Sequence, residues 1–280
     1  MKTQLMIFTL FGILITSIGI SSVFAEEGSV IVSTDKSSYF DGDTAKGFQG
    51  GGFLVAESAT VGLISTQIYK SRATTGEGGV ISAMGSKIKL TRVNIADARA
   101  AASGGALALR LCRATITYST FQRCTAAGVQ GSGGAILLKT RSRCTMKESI
   151  IEGNRATNSG GGVVCDGCAE LHTDKSTFTH NIAGRGGAIS LVGDTDGNVA
   201  HILPSTSFIS NSATLGGGGA IYREGNVAPL LGDGVTYTNN KALYGNDQAT
   251  EPVKAVVRWG PQGKDKKGKE MKKEKKRYQK

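Results

Sequence analysis

No stretch after residue 25 is apolar enough to cross a membrane as a helix, and no segment carries the i, i+3, i+4, i+7 stripe of an amphipathic helix. A helical bundle and a polytopic helical membrane protein are thereby excluded. Proline is scarce, at four in 280 residues. Glycine is abundant, at 40, about twice the usual share, yet it does not fall at every third position, so a collagen-like chain is excluded too. Glycine at wide, regular intervals points instead to one turn repeated many times. Paired carboxylates at matching positions are also missing, as are the Asn-Thr-Asp, Asp-Asp, Gly-His-Gly and Arg-Ile-Lys signatures of polygalacturonase-type chemistry.

The net charge of +11 misleads as a whole-chain number. From Lys254 onward there are twelve basic residues against three acidic ones, and setting aside that tail and Lys2 leaves 20 basic and 19 acidic. The body is close to neutral as a whole, which offers no case for a nucleic-acid-binding domain. At the other end, Lys2 precedes an apolar run over residues 5–20, and Val23-Phe24-Ala25 then provides the small residues of a signal-peptidase site. Residues 1–25 are therefore expected to be a signal peptide, with an uncleaved membrane anchor as the alternative.

Self-similarity organises what remains. Gly-Gly pairs start at 51, 78, 104, 133, 161, 186 and 218, spaced by 25 to 32 residues. A small and an aliphatic residue follow, as in Ala106-Leu107, Ala135-Ile136 and Ala220-Ile221. A second landmark keeps phase with the first. It reads Phe121-x-x-Cys124-x-Ala126, Ile151-x-x-Asn154-x-Ala156, Phe178-x-x-Asn181-x-Ala183, Phe208-x-x-Asn211-x-Ala213 and Tyr237-x-x-Asn240-x-Ala242.

Between the landmarks apolar residues alternate with polar ones, as in Ile88-Lys89-Leu90 and Ala114-Thr115-Ile116, the pattern of a strand with one buried face. Short strands at a period near 27 bury their inner faces only by coiling and stacking, about 4.8 Å per coil, so seven coils span about 34 Å. The expected fold is all-β: a single-stranded right-handed parallel β-helix of about seven coils over residues 26–250, with three short strands per coil. Leucine-rich repeats share the period, but no copy has the required L-x-x-L-x-L. The recurrent Asn residues and Cys124 are expected to form a structural ladder at one corner: Cys124, Asn154, Asn181, Asn211 and Asn240.

The phased GGA[ILV] and F-x-x-N motifs resemble the repeat of polymorphic outer membrane proteins, within the pectin-lyase-like β-helix superfamily. The resemblance covers about residues 39–250. It implies a β-helical passenger of an autotransporter-like surface protein, and similar repeats occur in extracellular proteins of eukaryotic microbes. The 30 residues after Thr250 leave no room for a membrane barrel, so barrel anchoring is not expected to carry over.

Five cysteines occur. An odd number leaves one thiol over; Cys124 at the Asn corner and Cys144 at an inward strand position read as packing residues, while Cys165 and Cys168 form a candidate disulfide loop. A zinc site with His172 and His180 is rejected on spacing. Asp194, Asp196 and Asn198 in the longest repeat offer alternating oxygens to Ca²⁺ and are a weak candidate set, but the EF-hand pattern fails and an ordinary polar turn is the default reading. No catalytic residue, resident metal or cofactor is expected. The chain is expected to be secreted or cell-surface, non-enzymatic, and to present a repetitive surface for adhesion or coating. Its partner would be a host or cell-surface protein or a glycan. It would bind no nucleic acid, and touch membrane only through an uncleaved anchor or weakly through the basic tail. The alternative is a carbohydrate-binding or carbohydrate-cleaving β-helix. Residues 251–280 are expected to comprise a cap at Val256, Val257 and Trp259 and a disordered basic tail.

Overall fold

In the computed structural model the chain winds into a solenoid of parallel strands, with no helix among the described residues. Those residues are 23–41, 44–45, 52, 54–192, 199–202, 205–224 and 229–250. The expected signal-peptide cleavage point lies inside the first strand, Val23–Asp41, and residues 1–22 and 251–280 fall outside the description.

One full coil shows the plan. The strands Leu107–Arg110, Arg113–Thr117, Thr120–Gln122 and Thr125–Ala126 follow one another around it. Each pairs in parallel with its counterpart one coil earlier and one coil later. The first three belong to one continuous 21-stranded sheet that wraps around the solenoid, and the two-residue fourth strands form a separate sheet of seven. Full coils thus carry four strands, where three were expected. The fourth is a single residue pair between the asparagine corner and the glycine turn, too short to show an alternating pattern. In the second coil the strand Leu54–Tyr69 runs through three strand positions without a break.

The alternation seen in the sequence becomes the wall of the core. In Arg113–Thr117, Ala114 and Ile116 point inward and are buried while Arg113 and Thr115 are exposed. Because side chains alternate with period two, a one-residue slip would bring Lys87, Arg113 and Arg143 inside together, so the register is strongly specified. Apolar side chains stack coil upon coil, as in Ile95, Phe121, Ile151, Phe178 and Phe208, all fully buried. Burying each is worth about 1.5–3 kcal/mol relative to exposure. Toward the C-terminal end the column becomes aromatic: Phe178 stacks on Phe208 at 5.2 Å and Phe208 on Tyr237 at 5.3 Å between ring centroids.

The Gly-Gly pair closes each coil. Gly133 has φ +67°, a left-handed conformation, and a Cβ on Gly134 would overlap the carbonyl oxygen of Gly161 in the next coil. The pair in the following coil is Gly160-Gly161 rather than the one starting at Gly161. Ile136 pairs with Val163, which places Gly162 where Ala135 stands one coil before. Three consecutive glycines hide this register in the sequence, and only the pairing resolves it.

Candidate binding faces and corner ladders

Every corner is made the same way locally. A residue with positive φ turns the chain and the next residue points inward, as at Arg123-Cys124 (φ 52°), Gly153-Asn154 (62°), His180-Asn181 (55°), Ser210-Asn211 (53°) and Asn239-Asn240 (54°). The backbone groups exposed at such a corner must be satisfied from inside the solenoid.

At the corner after the third strand asparagine does this. Asn181 Nδ2 donates to the Ile151 carbonyl at 2.8 Å and to Asn211 Oδ1 at 3.0 Å. The backbone N–H of Asn181 donates to that same Asn211 oxygen at 3.0 Å. Asn154 and Asn211 repeat the pattern with Asn181 and Asn240. The series is closed at one end by Asp247, which accepts from Asn240 Nδ2 at 3.0 Å, and at the other by Cys124, whose N–H donates to Asn154 Oδ1 at 2.8 Å. All four asparagines are at most 5 % exposed, so leaving one of these groups unpaired costs about 1–3 kcal/mol.

Two further ladders escaped the sequence reading. Two residues before the apolar landmarks sit Thr66, Val93, Ser119, Ser149, Ser176 and Thr206, with Val235 before the last of them, Tyr237. Here Val93 N–H donates to Ser119 Oγ, Ser119 N–H to Ser149 Oγ and Ser149 N–H to Ser176 Oγ, at 3.1, 3.2 and 3.2 Å. A shorter series joins Ala59 N–H to Ser86 Oγ and Cys112 N–H to Ser142 Oγ, both at 3.1 Å. The signal was available as a Ser or Thr at fixed offset from the apolar landmark, but serine is common enough in turns to pass for loop composition.

All five cysteines are free thiols, so the Cys165–Cys168 disulfide is not formed. Cys165 is the inward third residue of the strand Val163–Asp166 and fully buried, whereas Cys168 sits half-buried at the next corner with φ 61°. Burial pushes the thiols of Cys124 and Cys144 up to about 12 and those of Cys112 and Cys165 up as well, so the reactive thiolate is disfavoured. Among the described residues no three His, Cys, Asp or Glu side chains converge as a metal-binding group. His172 Nε2 lies 3.3 Å from Glu170, and His180 Nδ1 lies 2.8 Å from the Thr179 hydroxyl. Asp194, Asp196 and Asn198, the candidate Ca²⁺ set, lie outside the described residues, as do Val256, Val257 and Trp259.

The outer face carries the charge. Carboxylates lie in ion pairs that bridge coils: Glu170 with Arg143 at 2.7 Å, Asp174 with Lys147 at 3.3 Å, Glu77 with Lys139 at 2.7 Å, and Asp97 with Arg123 at 2.8 and 2.9 Å. The Arg123 hydrogen bond holds the Asp97 carboxyl below its ordinary range. Partial burial pushes the Glu170 carboxyl up, but hydrogen bonds and charge from His172 and Arg143 outweigh it and leave the group below its usual value. On the second strands Lys87, Arg113 and Arg143 stand in direct register on three successive coils.

A repeat of the Chlamydia polymorphic membrane protein type matches residues 205–222, spanning the Phe208-x-x-Asn211 landmark and the following glycine turn. No curated protein and no solved structure gives a significant match. The right-handed β-helix region matches residues 20–203, two-thirds of the chain. With the coils, the glycine turns and the ladders already in place, the conclusion follows that this chain belongs to the right-handed parallel β-helix family.

Proposed function

We propose that the chain is a cell-surface scaffold without catalytic activity, presenting the outer faces of its coils to a macromolecular partner in adhesion or surface coating. One observation carries this reading: the inward side chains are consumed by the core and the ladders, so chemistry that varies from coil to coil is displayed on the outside in rows. Parallel pairing sets those rows about 4.8 Å apart. The match to the polymorphic membrane protein repeat supports a place at the outer membrane or cell surface. The absence of catalysis is supported by the cross-coil ion pairs of Glu170, Asp174, Glu77 and Asp97, which hold carboxylates apart instead of aiming two of them at one bond.

Two measurements test the proposal. Brief protease treatment of intact cells bearing the tagged protein is expected to remove an epitope on the coils, and beads coated with the purified chain are expected to adhere to a target cell surface. An epitope that stays protected on intact cells overturns the surface reading. Release of new reducing ends or unsaturated products from a polysaccharide overturns the non-enzymatic one.

A further inference from the structure

The near-neutral body hides a polarised one. Residues 54–166 carry 14 Lys or Arg and 6 Asp or Glu, 14 − 6 = +8, whereas residues 167–250 carry 4 and 7, 4 − 7 = −3. Much of the excess collects on one face, the outer side of the strands Lys87–Thr91, Arg113–Thr117 and Arg143–Lys147. Lys87, Arg113 and Arg143 are direct neighbours across these strands, with Lys89 beside the first and Lys147 beside the last. Like charges placed opposite one another in a sheet destabilise it, and a purely structural row would alternate them. Such alternation begins only at the edge of the patch, where Glu170 and Asp174 meet Arg143 and Lys147. Lys87, Lys89 and Arg113 are exposed and have no ion-pair partner among the described residues.

We infer that this face binds a linear sulfated polysaccharide running from coil to coil across the three strands. The inference deepens the surface-scaffold reading, on which it rests, by naming the ligand class. Three cations without an ion-pair partner among the described residues, Lys87, Lys89 and Arg113, over two coils exceed one charge per coil step, with the paired Arg143 and Lys147 continuing the face. This suits a chain with more than one anion per sugar better than a uronate polymer with one. The intervening positions Thr91, Thr115, Thr117 and Thr145 supply hydroxyls suited to sugar hydroxyls. No aromatic side chain lies in these three strands, so the face lacks both a base-stacking platform for single-stranded nucleic acid and an aromatic anchor for a protein partner. A flat sheet face also offers no element to enter a duplex groove.

The test uses the full chain and heparin as probe, at about 0.15 M salt, where the Debye length is about 8 Å. Lysine acetylation is read peptide by peptide by mass spectrometry, which separates the face from the basic tail. With heparin at about ten times Kd, acetylation of Lys87 and Lys89 is expected to slow about tenfold, while Lys175 and Lys241 on the acidic coils react as before. Arg113→Gln is expected to abolish the protection of Lys87 and Lys89. Arg99→Gln, likewise an exposed cation but on the fourth strand of the same solenoid, should leave it intact, with thermal melts confirming that both variants fold. Protection confined to the tail overturns the inference, as does an equal effect of Arg99→Gln, equal protection by duplex DNA, or stronger protection by polygalacturonate. Each of these failures would leave the protease-shaving and bead-adhesion results standing, and a failure of those assays would leave the footprint standing.

Discussion

From Asn154 to Asn240 the corner after the third strand holds an asparagine in each coil, whereas in the preceding coils Ser71, Ala98 and Cys124 hold it. The later coils gain a continuous series of amide bonds and a stack of Phe178, Phe208 and Tyr237. The earlier coils have neither: Ala98 has no polar group to offer, Ser71 Oγ is buried without a partner, and Cys124 Sγ makes only weak contacts with the Gln122 carbonyl at 3.4 Å and the Ile95 carbonyl at 3.9 Å. Yet the serine ladder runs across both regions, from Val93 and Ser119 to Ser149 and Ser176, while Lys87, Lys89 and Arg113, without ion-pair partners among the described residues, stand outside the earlier coils. Internal bonding and external chemistry therefore vary independently along one solenoid. The glycine turn is common to both regions, because its requirement is steric rather than energetic.

That comparison breaks most severely at the glycines. Gly134→Val drives a side chain into the backbone of Gly161 and Arg155, and Gly187→Val does the same against Gly219 and Ser212. Both variants are expected to lose cooperative unfolding by circular dichroism. A folded Gly134 variant beside an unfolded Gly187 one would show that the two regions do not share the turn.

A smaller effect sharpens the difference at the asparagine corner. Asn181→Leu strands the Ile151 carbonyl and the Asn154 N–H, at about 1–3 kcal/mol for each group. Cys124→Ala keeps the backbone bond to Asn154 and removes two weak thiol contacts, to the Gln122 and Ile95 carbonyls, at about 1 kcal/mol. Denaturant titration of the two variants should rank them in that order. Equal losses would mean that the ladder adds nothing to the later coils.

The smallest expected effect concerns pH. Asp97 in the folded chain titrates below its ordinary range, so as pH falls the unfolded chain takes up the proton first. The stability from its pair with Arg123 is present above about pH 4 and is lost as pH drops through the lowered folded value. Both side chains are substantially exposed, at 40 % and 57 %, which holds the contribution to about 0–1 kcal/mol. Asp97→Asn should therefore lower Tm slightly at pH 7 and match the parent chain once the pH is low enough to protonate Asp97 in the folded state. A difference that persists at low pH would place its cause outside the ion pair.

The positions of Asn154, Asn181, Asn211 and Asn240 were legible because a buried amide at a fixed offset from a large apolar residue stands out among glycines and threonines. The serines at the neighbouring corner stand at an equally regular offset, but a serine in a turn is unremarkable until its Oγ is seen to accept a backbone N–H from the coil before. Cys165 falls where other copies carry Leu109, Leu138 and Leu191, but three consecutive glycines hide that alignment and left it unseparated from Cys168. What parts them is that one faces the core and the other a corner.

What the sequence determined by itself was the solenoid, the inward set of side chains and the glycine turn, since a period of two within strands and a period near 27 between them are both carried in the chain. What only the tertiary structure decided was which outward residues meet. With the turn at Gly160 the spacing between glycine pairs varies from 26 to 32 residues, so the coil-to-coil neighbours of Lys87 or of Gly160 depend on how each extra residue is absorbed in the loops. That is settled by backbone pairing and by the need to keep every inward face buried.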